Sequence, residues 1–393
     1  MTFIALDDKQ ECVGIYTKGE LKLHGDIPDN LDRTWRYMPF LHDSSIEYAH
    51  LYCGGKTFDE VCPEEMKPEW QRLTKKLRAF ITSFFEAKIN LNEVCFYDLV
   101  PVQFLKEYFD AKCRIIDSVF LHYKKPVDYE HRLNLEILLS DIRSRGVGVD
   151  TQVLKDRLSE VRVRNFIKKL KATRHTVDFD QFGSKTGRLT SLKGTFPILS
   201  MDKSFRSVIK PKNGWFVELD YNAADLRTLL ALSGIPQPDE DIHAWNAEKL
   251  GITREKAKAD IFAWLYGSTQ VDGTSFAKLY DADAVKEKYW NGFDVKNHFG
   301  RMIPSNEYHS LNYIIQSTTS DLVLRQAVKV HALLQDLTSH IAFIIHDSII
   351  VDLDILEKDK IMEMARVFSK TDLGVFRTSL KVGKDLNKMI EVN

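Results

Sequence analysis

The sequence predicts a mixed α+β protein with a small α/β domain at residues 1–130 and a larger domain at residues 131–393. Segments with strand-like alternation and segments with helical spacing of apolar residues both occur along the chain, which indicates mixed architecture. A helical pattern free of cysteine begins near residue 133 and marks the start of the second domain. The five cysteines all precede it: Cys12, Cys53, Cys62, Cys95 and Cys113.

The composition is that of a soluble globular protein, with 44% hydrophobic and 28% charged residues among 393. A net charge of −1 gives no sign of nucleic-acid binding from bulk charge, although a local basic face remains compatible with it. The cysteines are odd in number and form no CxxC pair, so zinc and disulfide frameworks have little support. No apolar run reaches the ~20 residues of a membrane span, and the start lacks a secretion signal. We therefore expect a cytoplasmic protein without a membrane partner.

The first domain reads as alternating strands and helices. FIALDD and CVGIYTKGEL are expected to form two strands around a polar turn, and IEYAHLYCGG another extended piece. A helix is expected from about Pro68 to Ala87, followed by a strand around VCFYDL and a helix in VQFLKEYFDAKCRII. These elements fit a compact unit that ends near Pro126.

A helix and a basic segment follow. Apolar residues from Leu133 have helical spacing, and the helix is expected to stop before Gly146. Eight basic residues lie between Lys155 and Arg174, including Lys168 and Lys169. Such a cluster suits phosphate binding, and equally suits the solvated face of a helix.

Two carboxylates lie where apolar strands are expected to end. Asp220 follows the apolar run Trp215 to Leu219, and His346-Asp347 separates two apolar runs that suit a hairpin. A single strand-end aspartate is more often a turn or cap residue. A converging pair is what two Mg²⁺ ions require, because such ions bind carboxylate and phosphate oxygens and stabilise phosphoryl transfer.

In TREKAKADIFAWLYGS, two cations followed by two aromatic residues occur at every fourth position. Arg254, Lys258, Phe262 and Tyr266 each advance ~40° around an ideal helix, so they form one slanting stripe. The cations suit a triphosphate, and the rings suit a sugar and base. The alternative is an amphipathic helix whose rings are core residues.

Several ordered motifs resemble those of the family A DNA polymerases, the bacterial DNA polymerase I class. They are TGRLTS, DYNAADLR, DIHAW, the Arg-x3-Lys-x3-Phe-x3-Tyr-Gly helix, FGRMIP, NYIIQSTTSD and HDSIIVDL. The resemblance covers roughly residues 133–393 and implies a right-hand polymerase with an antiparallel palm sheet and helical fingers. It implies a reduced thumb at 133–185, palm and fingers at 186–393, and fingers at about 240–300. Residues 1–130 would occupy the place of the family's 3′–5′ proofreading domain, as a degenerate exonuclease-like domain that is structural and not catalytic.

The resemblance also implies residue roles. Asp220 and Asp347 would hold two Mg²⁺ ions, for which Mn²⁺ could substitute, and Lys258 would protonate the departing pyrophosphate. The expected nucleotide-binding residues are Arg254, Lys258, Phe262, Tyr266, His243 and Asp225. The expected DNA-binding residues are Arg188, Asn312, Gln316 and His346, joined by Lys168 and Lys169 of the basic segment.

Four departures from the family pattern bear on function. Asp225 stands where the family has a Glu that blocks a ribose 2′-hydroxyl, so the gate is expected to be looser. Ser348 replaces an ancillary acid, and Tyr308 replaces an Arg that lies near the primer terminus or template. Only about 36 residues separate Asp150 from Thr186, which leaves room for a stub thumb and predicts weak intrinsic processivity.

The sequence therefore predicts a template-directed DNA polymerase that acts on primer-template DNA and dNTPs in replication, a phage protein of the bacterial cytoplasm. Proofreading is expected to be absent, because Asp7 is followed by Lys9 where an Asp-x-Glu pair is needed. A processivity factor or a separate nuclease would act in trans. The alternatives are a ribonucleotide-tolerant or RNA polymerase, and a catalytically silent replisome protein that binds nucleic acid.

Overall fold

The computed structural model describes residues 1–23, 27–41, 45–265 and 273–392. The chain forms two compact units, Met1–Ser140 and Asp141–Asn393, so the division lies somewhat beyond the boundary predicted near residue 130. Helices take up 49% of the chain and strands 18%, which confirms the predicted mixed class. No helix within the described ranges is long and apolar enough to cross a membrane.

The first unit contains a three-stranded sheet and two long helices. Its strands are β1 Ile4–Asp8, β2 Glu11–Thr17, β3 Glu20–Leu23, β4 Arg33–Thr34 and β5 Glu47–Tyr48. Its helices are α1 Ala49–Tyr52, α2 Phe58–Val61, α3 Lys67–Glu86, α4 Val102–His122 and α5 Tyr129–Arg145, the last of which continues into the second unit. β1, β2 and β3 pair antiparallel in that order.

The expected helices of this unit are confirmed, whereas some of its expected strands are wrong. CVGIYTKGEL is a hairpin of two strands, because Lys18 and Gly19 take positive φ values of 48° and 82° and turn the chain. IEYAHLYCGG supplies only β5 before α1 begins. VCFYDL contains a 3₁₀ helix, Phe96–Leu99, instead of a strand. Apolar runs this short do not distinguish strand from helix, and Phe96 reaches the core by packing on Phe84 with ring centres 5.9 Å apart.

The second unit is built around a five-stranded sheet and a helical layer. Its strands are β6 Gly148–Val149, β7 Phe179–Asp180, β8 Thr190–Ser191, β9 Ile209–Lys210, β10 Gly214–Tyr221, β11 Asp294–Lys296, β12 Met302–Pro304, β13 His340–Ile345, β14 Ser348–Asp354, β15 Lys370–Thr371, β16 Gly374–Val375, β17 Thr378–Gly383 and β18 Met389–Glu391. Its helices are α6 Val161–Lys171, α7 Ala224–Leu232, α8 Ile242–Leu250, α9 Arg254–Leu265, α10 Thr274–Leu279, α11 Ala282–Tyr289, α12 Glu307–Leu333 and α13 Ile361–Ser369.

The five-stranded sheet is antiparallel throughout, with strand order β13-β14-β10-β17-β18. β14 is almost fully buried, as expected for an interior strand covered on both faces, and its apolar residues are Ile349, Ile350, Val351 and Leu353. α13 packs on the sheet, where Phe368 stacks on Tyr221 with ring centres 4.3 Å apart. The centre of the sheet is therefore rigid up to the strand ends, where polar residues begin.

A second apolar core holds the helical layer together. It contains buried side chains from the N-terminal half of α12 and from α7 to α11, including Leu229, Ile261 and Ile314. α12 begins at Asn306, whose Oδ1 accepts a hydrogen bond from the His309 amide at 3.0 Å. This long helix therefore runs from the helical layer to the sheet, where it contacts β13.

A buried ion pair joins the β11–β12 hairpin to α12. Asp321 is 5% exposed and accepts hydrogen bonds from the Arg301 guanidinium at 2.6 Å and from Asn297 Nδ2 at 2.7 Å. A Cβ on Gly187, which has φ +78°, would lie 2.6 Å from Arg301 Nη2. The ion pair therefore also supports the loop that carries Arg188.

Removing the buried carboxylate should destabilise the second unit. We expect Asp321→Ala to lower the free energy of unfolding by about 3–5 kcal/mol, because the Arg301 guanidinium would lose its hydrogen-bonded carboxylate in this partly buried site. Urea unfolding measures the change. Asp372→Ala is the matched control, since Asp372 pairs with Lys329 at the surface and such pairs contribute about 0–1 kcal/mol. Equal losses in the two variants would contradict the assignment.

Candidate active site

The two predicted metal-binding aspartates lie at one end of the five-stranded sheet. Asp220 is near the end of β10, and Asp347 lies in the two-residue turn between β13 and β14, which confirms the predicted hairpin. The other turn residue, His346, has φ +54°, the left-handed conformation that two-residue hairpin turns require. Asp220 is paired in register with Ser348, the residue after Asp347. The strand pairing thus sets the two carboxylates side by side.

The electrostatics of this sheet end disfavour negative charge. Burial, with a smaller contribution from Glu218, raises the pKa of Asp220 to about 6. Burial also raises the pKa of Asp347 to about 7, helped by the carboxylates of Asp225 and Asp220 and opposed by Arg188. Strongly raised carboxyl pKa values of this kind are typical of functional sites.

A third acid lies beside the pair. Asp225 is in the first turn of α7, directly after Ala223 turns the chain with φ +53°. Its Oδ2 lies 3.5 Å from Arg188 Nη2, while burial raises the pKa of the Asp225 carboxyl against the effect of Arg188. Arg188 therefore contacts Asp225 and partly offsets the rise in the pKa of Asp347.

The expected DNA-binding residues lie in the same region of the structure. Arg188 and His346 line one small cavity with Ser320 of α12. Gln316 and Asn312 lie about one and two turns nearer the start of α12 than Ser320, and Asn312 Nδ2 donates to the Leu265 carbonyl at 3.3 Å. The structure thus brings Arg188 and His346 together, and connects Asn312 to the end of α9.

The stripe on α9 is confirmed as helical for its described part. Arg254 and Lys258 are exposed, and the Phe262 ring lies 5.8 Å from the ring of His243 on α8. Burial lowers the pKa of His243, and the nearby charges of Lys258 and Arg254 act in the same direction. His243 therefore belongs with the stripe. Tyr266, the fourth predicted member, lies outside the described residues.

Arg254 has a carboxylate partner that the sequence did not reveal. Its guanidinium donates to both oxygens of Asp241, at 3.0 and 3.1 Å. Asp241 also caps α8 by accepting from the Ala244 amide at 2.9 Å. The neighbouring Arg227 is 1% exposed and donates to the carbonyls of Pro238 and Glu240, so it fixes the loop that leads to Asp241. In the sequence, the only indication of these contacts was that Asp241 belongs to the motif DIHAW and Arg227 to the motif DYNAADLR.

The donor set fits divalent magnesium at the sheet end. Two neighbouring carboxylates whose charged forms are disfavoured would gain from a cation, and their hard oxygens suit Mg²⁺. Within the described ranges no group of three or more His, Cys, Asp or Glu side chains is arranged to hold a metal ion by itself.

The cations of the basic segment differ in whether they form ion pairs. Arg157 and Arg162 share the carboxylate of Glu160, at 2.8 and 2.7 Å, which offsets one of their two positive charges. Lys168 and Lys169 of α6 are exposed, and no ion pair of either is found among the described residues. α6 is attached by Phe166, which stacks on Phe205 with ring centres 4.2 Å apart.

Comparison with known proteins supports a polymerase architecture. No family model matches the chain. A DNA polymerase of Mycobacterium phage L5 is 28% identical over 172 residues, which is 36% of this chain and 28% of the phage protein's length. The POL domain of Pol1 from M. smegmatis, solved in complex with DNA primer-template and dNTP, superposes with a TM-score of 0.57. That superposition covers 73% of this chain and 76% of the solved chain at 13% identity. The chain has the fold of that polymerase domain.

Removing one acid of the pair should stabilise the metal-free protein. Because the folded-state pKa of Asp347 is raised, the folded protein binds more protons than the unfolded chain between about pH 4 and 7, so its stability falls as pH rises through that window. We expect Asp347→Asn to raise the free energy of unfolding by roughly 1–2 kcal/mol at pH 8 in EDTA, and to have little effect at pH 4.

Urea unfolding at both pH values measures this effect, with Asp336→Asn, an exposed turn residue, as the control. Added Mg²⁺ should stabilise the wild type more than the Asp347→Asn variant. A variant that is less stable than wild type at pH 8 in EDTA would contradict the assigned repulsion.

Proposed function

We propose that the protein is a template-directed DNA polymerase of the family A type, which adds deoxynucleotides to a primer 3′-hydroxyl during replication. The observation that carries this proposal is the sheet end where β10 and the β13–β14 turn bring Asp220 and Asp347 together. The polymerase fold and the similarity to a phage DNA polymerase support it. In this assignment the five-stranded sheet is the palm, the helices between residues 240 and 300 are the fingers, and α6 is a stub thumb.

The chain's own residues would divide the chemistry between binding and proton transfer. Asp220 and Asp347 would hold two Mg²⁺ ions, or Mn²⁺ in their place, which lower the pKa of a hydroxyl and neutralise phosphate charge when bound. Arg254 and Lys258 would hold the triphosphate, and Lys258 carries a proton that it can give to the departing pyrophosphate. His243, with its lowered pKa, would be neutral and able to accept or donate one hydrogen bond there.

Other residues would position the substrates. Phe262 and Tyr266 would contact the sugar and the nascent base pair. Arg188, His346, Asn312 and Gln316 would contact primer and template. Lys168 and Lys169 would bind the phosphates of the duplex without reading sequence. The short α6 offers little surface to wrap DNA, so a processivity factor in trans is expected.

The first unit would lack proofreading activity. Asp8 accepts a hydrogen bond from the Phe96 amide at 3.2 Å and lies 3.6 Å from Lys9, so it is tied to structural partners. Proofreading in the family needs an Asp-x-Glu pair on the first strand, and here Asp7 is followed by Lys9 in place of the glutamate. A separate nuclease would then correct errors. The phage relative supports a phage protein working in a bacterial cytoplasm.

Primer extension tests the proposal directly. With Mg²⁺, dNTPs and a defined template, the wild type should extend the primer in the order that the template dictates. Asp220→Ala should reduce the rate by at least about 10³-fold, because one of the two metal-binding carboxylates is lost. Asp336→Ala should extend normally. Wild-type protein that binds duplex yet extends no primer, in Mg²⁺ or Mn²⁺, would contradict polymerase activity and favour the silent replisome protein.

The Asp225 side chain favours ribonucleotide tolerance as a second candidate property. Aspartate is one methylene shorter than the family's glutamate, and Arg188 holds its carboxylate at 3.5 Å. We expect Asp225→Glu to lower the efficiency with rNTPs relative to dNTPs by about 10-fold or more, since one methylene in a fitted pocket changes discrimination by ~10–200-fold. Single-nucleotide incorporation kinetics measure the ratio. An unchanged ratio would show that the length of this side chain does not gate the sugar.

A further inference from the structure

The first unit contains a cavity that the polymerase assignment does not use. It has a volume of about 500 Å³ and lies along α3. Its described lining consists of Asp59, Lys67, Trp70, Gln71, Thr74, Lys75 and Arg78. Three of these side chains are cations and one is an acid, so the lining is basic although the chain as a whole has a net charge of −1.

The lining follows one face of α3. At about 100° per residue, the positions from Lys67 to Arg78 in the lining fall within an arc of roughly 100°, apart from Trp70. Trp70 and Leu73 are buried and face the core instead, on the adjacent side of the helix. The cavity face is therefore a straight basic stripe about 16 Å long, at 1.5 Å per residue.

Two cations of this stripe are available for a ligand. Lys67 pairs with Glu64, and the single acid, Asp59, accepts a hydrogen bond from Trp70 Nε1 at 2.5 Å. Lys75 and Arg78 are exposed, and no carboxylate within the described ranges forms an ion pair with either. Gln71, also exposed, adds amide donors one turn before Lys75.

This chemistry suits a phosphate backbone and gives no means of reading bases. Charged donors and an amide in a row can follow successive phosphates. Trp70 is the single ring in the described lining, and its burial and its bond to Asp59 keep it from stacking on a base. Binding should therefore depend strongly on salt and little on sequence.

We propose that this cavity face is a second DNA-binding site, which holds the phosphates of a single strand independently of the primer-template site. Lys75 and Arg78 make the phosphate contacts, and Gln71 donates to the nucleic-acid backbone one turn nearer the start of α3. Through this site the chain binds DNA outside the polymerase unit.

Competition binding with the full chain tests the proposal. Primer-template hairpin is added to saturation, and a labelled single-stranded dT₂₀ is then titrated at several salt concentrations by fluorescence anisotropy. Wild-type protein should bind dT₂₀ while the hairpin is bound. Lys75→Ala combined with Arg78→Ala should weaken this binding at least fivefold and reduce the slope of log K against log salt by about 1.4, since each phosphate contact contributes about 0.7 on single strands.

A charge-matched control comes from the same helix. Arg72 and Lys76 are exposed but lie outside the cavity lining, so Arg72→Ala combined with Lys76→Ala removes equal charge on a different face. This control should bind dT₂₀ within twofold of wild type. Unfolding curves should be similar for both double variants, and primer extension on short templates should be unchanged in the Lys75/Arg78 pair.

Three outcomes would overturn the proposal. The saturating hairpin could abolish dT₂₀ binding in wild type, which would place that binding in the primer-template site. The two double variants could lose affinity equally, which would reduce the effect to net charge. Inorganic phosphate or dTMP could displace dT₂₀ at the same phosphate concentration as unlabelled dT₂₀, which would show a mononucleotide pocket instead of a strand site. Because duplex extension is measured separately, a failure here leaves the polymerase proposal standing.

Discussion

The structure of the second unit depends on holding like charges close together at the end of a buried sheet. Burial raises the pKa of both Asp220 and Asp347, and the carboxylates of Asp225 and Asp220 raise the pKa of Asp347 further. A rigid backbone is needed to hold these acids in place. Here the strand register supplies that rigidity, because β10 pairs with β14 on one side and with β17 on the other. The apolar centre of the sheet stabilises the fold, whereas the closely placed acids at its polar end destabilise it. Such opposition is common at functional sites.

Two cations assigned to substrate binding already contact carboxylates of the protein. Arg188 pairs with Asp225, and Arg254 makes a two-pronged contact with Asp241. Both side chains are thereby oriented before any anion arrives, at positions where bare guanidinium groups would otherwise be mobile. A substrate phosphate would have to compete with these carboxylates or share the cation with them. This competition favours polyanions such as triphosphates over weaker anions.

The sequence predicted elements whose pattern is local and missed contacts between distant residues. The hairpin around His346 was predictable because apolar runs flank a polar pair, and α9 because its stripe repeats at spacing four. The ion pair of Arg301 with Asp321 joins a hairpin to a helix, and no periodicity links the two positions. Asp241 was hidden for another reason, since a residue before a helix suggests only a cap. The apolar run VCFYDL was too short to separate strand from 3₁₀ helix.

The two-residue turn between β13 and β14 has a consequence for how this protein can diverge. Side chains alternate between the faces of a strand, so an insertion beside Asp347 that shifted the pairing of β13 with β14 by one residue would reverse the orientation of every residue in one arm of the hairpin relative to its partner. Because β14 is buried on both faces, its side chains would then exchange layers, and the packing of the core would be lost together with the site. Relatives of this chain should therefore vary in loop length almost anywhere except here, and this turn should be the most reliable anchor for aligning them.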